Sequence, residues 1–245
     1  MDPIETIRLS IIIPAYNEED RIVLTLEQTF QYLSRQPYKS EIWVVSDGST
    51  DGTENVVKAL VPPANIQVFT VGYQPNRGKG YAVRYGMLKA RGEYVLFMDA
   101  DYAVPLEHIE SAFKMMKEGA DIAIGTRRHP EAKVANTQSF FRKTASKIFN
   151  TIQTVYLGLY FKDTQCGFKM FRHKVAAFIF PRQKLNSIVF DSEILWLAKK
   201  QRFNIVEFPV AWYHNDDSRI QYNSLKKSLY IFQELFKIRI IHTNF

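Results

Sequence analysis

Tyr94-Val95-Leu96-Phe97-Met98-Asp99-Ala100-Asp101 is the stretch that decides the fold. Its five consecutive apolar or aromatic residues, rich in strand formers, mark a strand covered on both faces, as found in the middle of a parallel or mixed sheet. In open α/β sheets the ligand crevice lies outside the carboxyl ends of the strands, so Asp99 and Asp101 would put two hard oxygen donors there. Such a pair suits Mg2+ or Mn2+, which bind through one or two carboxylates and complete their shell with water and substrate phosphates. The same letters also fit two solvated aspartates that cap a helix starting near Pro105.

On the N-terminal side, Leu9-Ser10-Ile11-Ile12-Ile13 is a β-branched run stopped by Pro14. A polar loop follows, then a helix with Ile22, Leu26, Phe30 and Leu33 at helical spacing. The unit repeats: Glu41 to Ser46 predicts a strand, Asp47 to Gly52 a turn-rich loop, and Val56, Val57 and Leu60 a helix. Ile66 to Thr70 predicts a third strand, and a helix with Val83, Met87 and Leu88 follows Gly78-Lys79-Gly80. The alternation continues through Ile122 to Gly125 and argues a parallel α/β sheet.

Beyond that point, Ser139 to Phe161 predicts a long helix with a wide apolar face, and Asp163 to Lys169 a polar loop entering a short strand. Phe190-Asp191-Ser192-Glu193 opens a helix, Ile205 to Val210 predicts the last strand, and Ser224 to Ile241 a closing helix. In that closing helix Leu225, Leu229, Phe232 and Phe236 form a stripe beside Lys226, Lys227, Lys237 and Arg239. The stripe fits either packing on the sheet or reversible contact with an anionic membrane surface.

Composition narrows the partners. Of 245 residues 46% are hydrophobic, enough to bury a core as one domain over residues 1–245, and no linker interrupts the chain. Lys and Arg number 32 against 25 Asp and Glu, a net +7 that favours polyanions. Basic residues are dispersed and thicken after Arg127 without a long run, which argues against nucleic acid and leaves nucleotide phosphates and anionic lipid. The single cysteine, Cys166, excludes an intramolecular disulfide and multi-cysteine zinc sites, and is expected to pack in a reducing compartment. Met1 to Thr6 lacks the pattern of a signal peptide and no window reaches the ~18 apolar residues of a membrane span, so a cytoplasmic or peripheral protein is expected.

Asn76-Arg77-Gly78-Lys79-Gly80 matches neither a phosphate loop nor a dinucleotide fingerprint in spacing or position. It fits a helix-entry turn, or a site where Lys79 and a helix N-terminus face a nucleotide.

Taken together, Pro14-Ala15-Tyr16-Asn17-Glu18, Asp47-Gly48-Ser49-Thr50-Asp51, Asn76-Arg77-Gly78-Lys79-Gly80 and Asp99-Ala100-Asp101 make the chain resemble a family 2 glycosyltransferase of the GT-A fold. Within that family, Gly125-Thr126-Arg127, Asp163 to Lys169, Phe190-Asp191-x-Glu193 and Pro209-Val210-x-Trp212 resemble the dolichyl-phosphate β-glucosyltransferases. The likeness runs from Leu9 to about Ser218. It implies a mixed, mostly parallel sheet flanked by helices, with a Rossmann-like nucleotide-sugar-binding half over residues 1–125 and an acceptor-binding half over 126–245.

The resemblance further implies that Pro14, Ala15, Tyr16, Glu18 and Asp47 hold the uracil and ribose of a nucleotide sugar, with Lys79 and Ala100 beside it, while Asp99 and Asp101 meet Mg2+ or Mn2+ and the diphosphate. Mannosyl relatives carry a Gln two residues after the second aspartate, where this chain has Ala103, which favours UDP-glucose over GDP-mannose. The glucosyl branch reads Gly-Ser-Lys where this chain has Asp217-Ser218-Arg219, and Ser218 with Arg219 would meet the phosphate of a polyprenyl acceptor.

The chemistry divides on the acceptor. A sugar hydroxyl must lose a proton as it attacks and would need Asp191 as base. A lipid phosphate with a second pKa of about 6 is already mostly dianionic at neutral pH. Asp191 would then position a substrate or cap its helix, and Arg127 is either a second cation at the diphosphate or a solvated loop arginine. An inverting glucosyl transfer to polyprenyl phosphate is the expected reaction. A transferase using GDP-mannose, UDP-GlcNAc or a soluble acceptor, and a nucleotide-sugar-binding protein without turnover, are the alternatives.

Overall fold

The β-branched run after Arg8 becomes β1 (Leu9–Ala15), and helix α1 (Glu19–Leu33) follows. The chain continues through β2 (Ser40–Asp47), α2 (Thr53–Ala59), β3 (Ile66–Tyr73), α3 (Lys79–Met87), β4 (Tyr94–Met98), α4 (His108–Lys117) and β5 (Ile122–Thr126). Next come β6 (Val134–Ala135), a π-helical turn (Gln153–Leu157), β7 (Phe168–Arg172), α5 (His173–Ile179), α6 (Phe190–Lys200), β8 (Ile205–Pro209), β9 (Trp212–Tyr213) and α7 (Leu225–Ile241). The structure, a computed structural model, describes residues 6–132, 134–135, 149–213 and 225–243.

Seven strands form one sheet in the order β3-β2-β1-β4-β7-β5-β8, and β6 pairs with β9 apart from it. β4 lies at its centre with all five residues buried. Alternation along β4 sends Leu96 and Met98 into the apolar layer shared with α1 and α4, and Val95 and Phe97 into the layer beneath α3, α5 and α6. A sheet covered on both faces explains why the strand reads as an unbroken apolar run.

The five strands expected through residue 125 all run in one direction, and the mixed character of the sheet comes from one later strand. β1 pairs parallel with β2 and β4, and β5 with β8, but β7 enters antiparallel between β4 and β5. Its register sets Lys169 opposite both Phe97 and Ile124.

The helix expected over Ser139 to Phe161 stops earlier than its apolar pattern. Residues 149–152 are helical, the π-helical turn follows, and Gly158 ends it in the left-handed region at φ 67°. Its N-terminal part lies outside the described residues, as does Ser224 of the closing helix. The expected stripe of α7 is not its packing face. Leu235 and Ile238 are the fully buried residues, Phe232 is half-buried, and Leu229 and Phe236 are exposed. Among the described residues no helix is long and apolar enough to cross a membrane.

Phe97 sits under the strand end, its ring 5.7 Å from that of Phe190 and 6.3 Å from that of Phe171. Phe97→Ala is expected to cost about 3–5 kcal/mol of stability, the range for emptying an aromatic core position. Urea unfolding checks it, and a loss under about 1 kcal/mol would mean that the core closes over the cavity.

Candidate active site

β4 delivers Asp99 to the top of the sheet, where its N–H donates to the Gly167 carbonyl at 3.2 Å. The Asp99 carboxylate lies directly against Gly167: a Cβ at that position would stand 2.1 Å from Asp99 Oδ2. Glycine here makes room for a functional side chain.

Lys79, the first residue of α3, places Nζ 2.5 Å from Asp99 Oδ1. Its approach is fixed by the turn before it. Gly78 adopts φ +99°, and a Cβ there would meet the Asn186 carbonyl at 2.5 Å. The Gly80 N–H donates to that same carbonyl at 2.8 Å. Burial alone would lower the Lys79 pKa, but Asp99, Asp191 and Asp101 together hold it above its ordinary value.

Neither aspartate of the pair caps α4, which begins several residues later. Asp101 Oδ1 instead accepts the Ala103 N–H at 3.1 Å, across Tyr102 at a positive φ of 53°. Burial, and then the charge of Asp99, raise the Asp101 pKa. Two carboxylates that disfavour one another's charge fit a divalent cation between them. Among the described residues no group of three or more His, Cys, Asp or Glu could cage a metal. A cation at Asp99 and Asp101 would therefore draw its remaining oxygens from water or a substrate's phosphates.

Asp191 is buried in the first turn of α6, where Val189 rather than Asp191 is the N-cap residue. Its Oδ1 pairs with Lys169 Nζ at 2.5 Å. That ammonium, fully buried, also donates to the Cys166 carbonyl at 2.5 Å and lies 5.0 Å from the centre of the Phe97 ring. Burial raises the Asp191 pKa, opposed by Lys169 and Lys79. The charges thus alternate from Asp99 through Lys79 and Asp191 to Lys169. Lys169 closes the Asp163 to Lys169 motif but was given no role from sequence; the signal for its buried pairing was a lone cation inside Phe168-Lys169-Met170-Phe171.

Arg127 is partly buried and paired rather than a free loop arginine. It forms a fork with buried Asp163, Nε to Oδ2 at 2.6 Å and Nη2 to Oδ1 at 2.9 Å, and lies 5.4 Å from the Trp212 ring. The pair holds Asp163 below its usual range against the burial that would raise it. Arg127, Asp99, Gly167, Ala103 and Trp212 line one small cleft.

The first two loops are stitched together. Asn17 Oδ1 accepts the Thr50 N–H at 2.8 Å, and the Glu18 N–H donates to Thr53 Oγ1 at 2.8 Å. The acids expected at the uracil and ribose also have partners within the protein. Glu18 holds Arg21 through both oxygens at 2.7 Å, and Asp47 accepts the N–H groups of Arg77 at 2.7 Å and Gly78 at 2.9 Å. Ala100 is buried with its carbonyl taken by Thr25 Oγ1 at 2.6 Å. On the β1 side Pro14 is partly buried, Ala15 buried, and Tyr16 exposed. Ser218 and Arg219 lie outside the described residues.

Residues 10–180 match the family model described as glycosyl transferase family 2. The chain belongs to that family. Among relatives of this family 2 transferase, the dolichyl-phosphate β-glucosyltransferase of Dictyostelium discoideum is 33% identical, covering 97% of this chain and 76% of that protein. That of Saccharomyces cerevisiae is 34% identical, covering 98% and 78%. That of Drosophila melanogaster is 36% identical, covering 88% and 70%. Like them, the family 2 enzyme described here is a hexosyltransferase.

The fold recurs in mannosyl-3-phosphoglycerate synthase from Rubrobacter xylanophilus, with a TM-score of 0.71 at 17% identity over 97% of this chain and 75% of that one. It recurs in glucosyl-3-phosphoglycerate synthase from Mycobacterium tuberculosis, solved with Mn2+, UDP-glucose and phosphoglyceric acid, with a TM-score of 0.66 at 15% identity over 95% and 78%. These are GT-A glycosyltransferases, and the mixed sheet is theirs.

Two outcomes follow for this enzyme. Gly167→Ala should displace the Asp99 carboxylate and lower turnover by about 10²-fold, as misplacement by about 1 Å can, with an unchanged far-ultraviolet circular dichroism spectrum. Unchanged turnover would mean that Asp99 works from elsewhere. Lys169→Met should leave Asp191 buried without its partner and cost about 3–5 kcal/mol in denaturant unfolding; a loss under about 1 kcal/mol would show that solvent reaches the pair.

Proposed function

We propose that this enzyme transfers glucose from UDP-glucose, with inversion, to the phosphate of a polyprenyl lipid of the dolichyl type at the cytoplasmic face of a membrane. The observation that carries the reading is the agreement of three relatives, matched over most of the chain, on one activity, dolichyl-phosphate β-glucosyltransferase. The Mn2+ and UDP-glucose seated in a fold neighbour support the donor and the cation.

In this reading Pro14, exposed Tyr16, Glu18 and Asp47 meet the uracil and ribose, on two loops that Asn17 Oδ1 and Thr53 Oγ1 hold together. Mg2+ or Mn2+ held by Asp99 and Asp101 supplies positive charge to the leaving diphosphate. Lys79 adds an ammonium and a helix N-terminus beside the same carboxylates. Arg127, matched by Asp163, shapes the cleft rather than adding net charge.

The acceptor explains the state of Asp191. A phosphate monoester that is already mostly dianionic needs no base, so a carboxylate buried against Lys169 has a positioning role. Ser218 and Arg219 are proposed contacts of the acceptor phosphate on sequence grounds.

The test is a screen of UDP-glucose, UDP-GlcNAc and GDP-mannose against a short-chain polyprenyl phosphate and a simple glucoside, with Mn2+ or Mg2+. Lipid product from UDP-glucose is expected, and Asp101→Ala should lower turnover by roughly 10²–10³-fold, the scale for losing transition-state charge stabilisation. Preference for GDP-mannose or UDP-GlcNAc would reassign the donor. Transfer to the glucoside alone would overturn the lipid acceptor, and binding without turnover would leave a nucleotide-sugar-binding protein.

A further inference from the structure

Two touching elements of the second half leave an unusual amount of apolar surface in solvent. Val155 is 80% exposed and Tyr160 77% in and after the π-helical turn, and Leu229 is 60%, Phe236 44% and Ile240 66% exposed on α7. Leu229, Phe236 and Ile240 stand seven and four residues apart and so share one face of α7. The turn meets that helix through Tyr156, whose hydroxyl donates to the Phe236 carbonyl at 3.0 Å and whose ring lies 4.9 Å from the Phe236 ring.

The opposite face of α7 is anchored. Leu235 and Ile238 are fully buried, and Glu234 accepts hydrogen bonds from Tyr230 and Ser187. His242, just past the helix, meets Glu193 at 2.7 Å. The outward orientation of Leu229, Phe236 and Ile240 is therefore held by the packing of the helix.

Apart from buried Glu234, the charges carried by these two segments have one sign, and a carboxylate from elsewhere, Glu207, is taken by the Lys162 N–H at the far end of the first. Residues 149–162 contain no carboxylate, and residues 225–243 contain only Glu234, which is buried. The cations lie over rings: Arg239 is 5.2 Å from the Tyr156 ring, Lys199 5.0 Å from that of Tyr160 and Lys237 5.9 Å from that of Tyr230. Apolar side chains, amphipathic tyrosines and cations on apolar stems are the composition of a face that lies in a bilayer interface. Self-association through this face would instead bring a second Lys237 and Arg239 into the same apolar interface with no exposed carboxylate from α7 to answer them.

From these observations we infer that the outer face of α7 and the π-helical turn before Gly158 together dock on an anionic lipid bilayer. The occupant rests on the lipid-phosphate reading above: an enzyme whose acceptor sits in a membrane gains from a surface that holds it there. The same face would recognise any bilayer rich in acidic headgroups.

The full chain is to be sedimented with vesicles of phosphatidylcholine alone and of phosphatidylcholine with phosphatidylglycerol. Binding is expected only with the anionic lipid, weakened by salt, with Lys237→Gln costing about fivefold in partitioning. Leu229→Glu combined with Ile240→Glu should abolish it, while these solvent-exposed changes leave the fold and transfer to a short-chain, water-soluble polyprenyl phosphate unchanged. Equal binding to neutral vesicles, or binding unaltered in the double variant, would overturn the docking surface. So would a wild-type dimer in sedimentation velocity that the double variant converts to a monomer, which would assign the face to a second copy. Vesicle binding that the double variant loses, in an enzyme without transfer to any polyprenyl phosphate, keeps the surface and removes the acceptor reading.

Discussion

The end of a fully buried strand carries two aspartates, Asp99 and Asp101, with the charge of Asp99 acting against that of Asp101, and much of the surrounding architecture sets cations against them. Lys79 answers Asp99 from the start of α3, and the turn that places it is braced on Asn186. Asp191 answers Lys79 in turn, and Lys169 answers Asp191 from a strand that lies beside β4. The charge ladder thus joins β4, α3, α6 and β7 across one layer of the sheet.

The strand, its burial and the two aspartates were legible because one unbroken apolar run followed by two acids leaves few alternatives. The early strand–loop–helix units were legible for the same local reason. The insertion of β7 was not, since a short strand such as Phe168–Arg172 carries no mark of which neighbours it will join or in which direction. Lys169 was hidden with it, because its burial is decided by that pairing.

Side-chain commitments were the second thing that sequence concealed. Glu18 and Asp47 stand in motifs that the resemblance ties to the nucleotide, yet their oxygens hold Arg21 and the backbone of residues 77 and 78. Arg127 was open between two roles, and what the sequence did not show is its partner: Asp163, distant in the chain, arrives with a matching fork. The stripe on α7 was visible as a periodicity, but which side faced the protein depended on α6 and on where the chain stopped turning at Gly158. Local pattern specifies elements; partners distant in sequence decide what each side chain is for.

The place of β7 also sets an order on how the protein can be made. During synthesis β4 leaves the ribosome with one backbone edge that β7 will pair with. At ~5–20 residues per second, Arg172 follows Met98 after about 4–15 s. For that interval the central strand of the sheet is an open hydrogen-bonding edge, the kind of surface to which other strands add. Premature termination between these two residues would release a chain lacking the strand that joins β4 to β5, so the antiparallel strand that frames the active site is also what closes the open edge of β4.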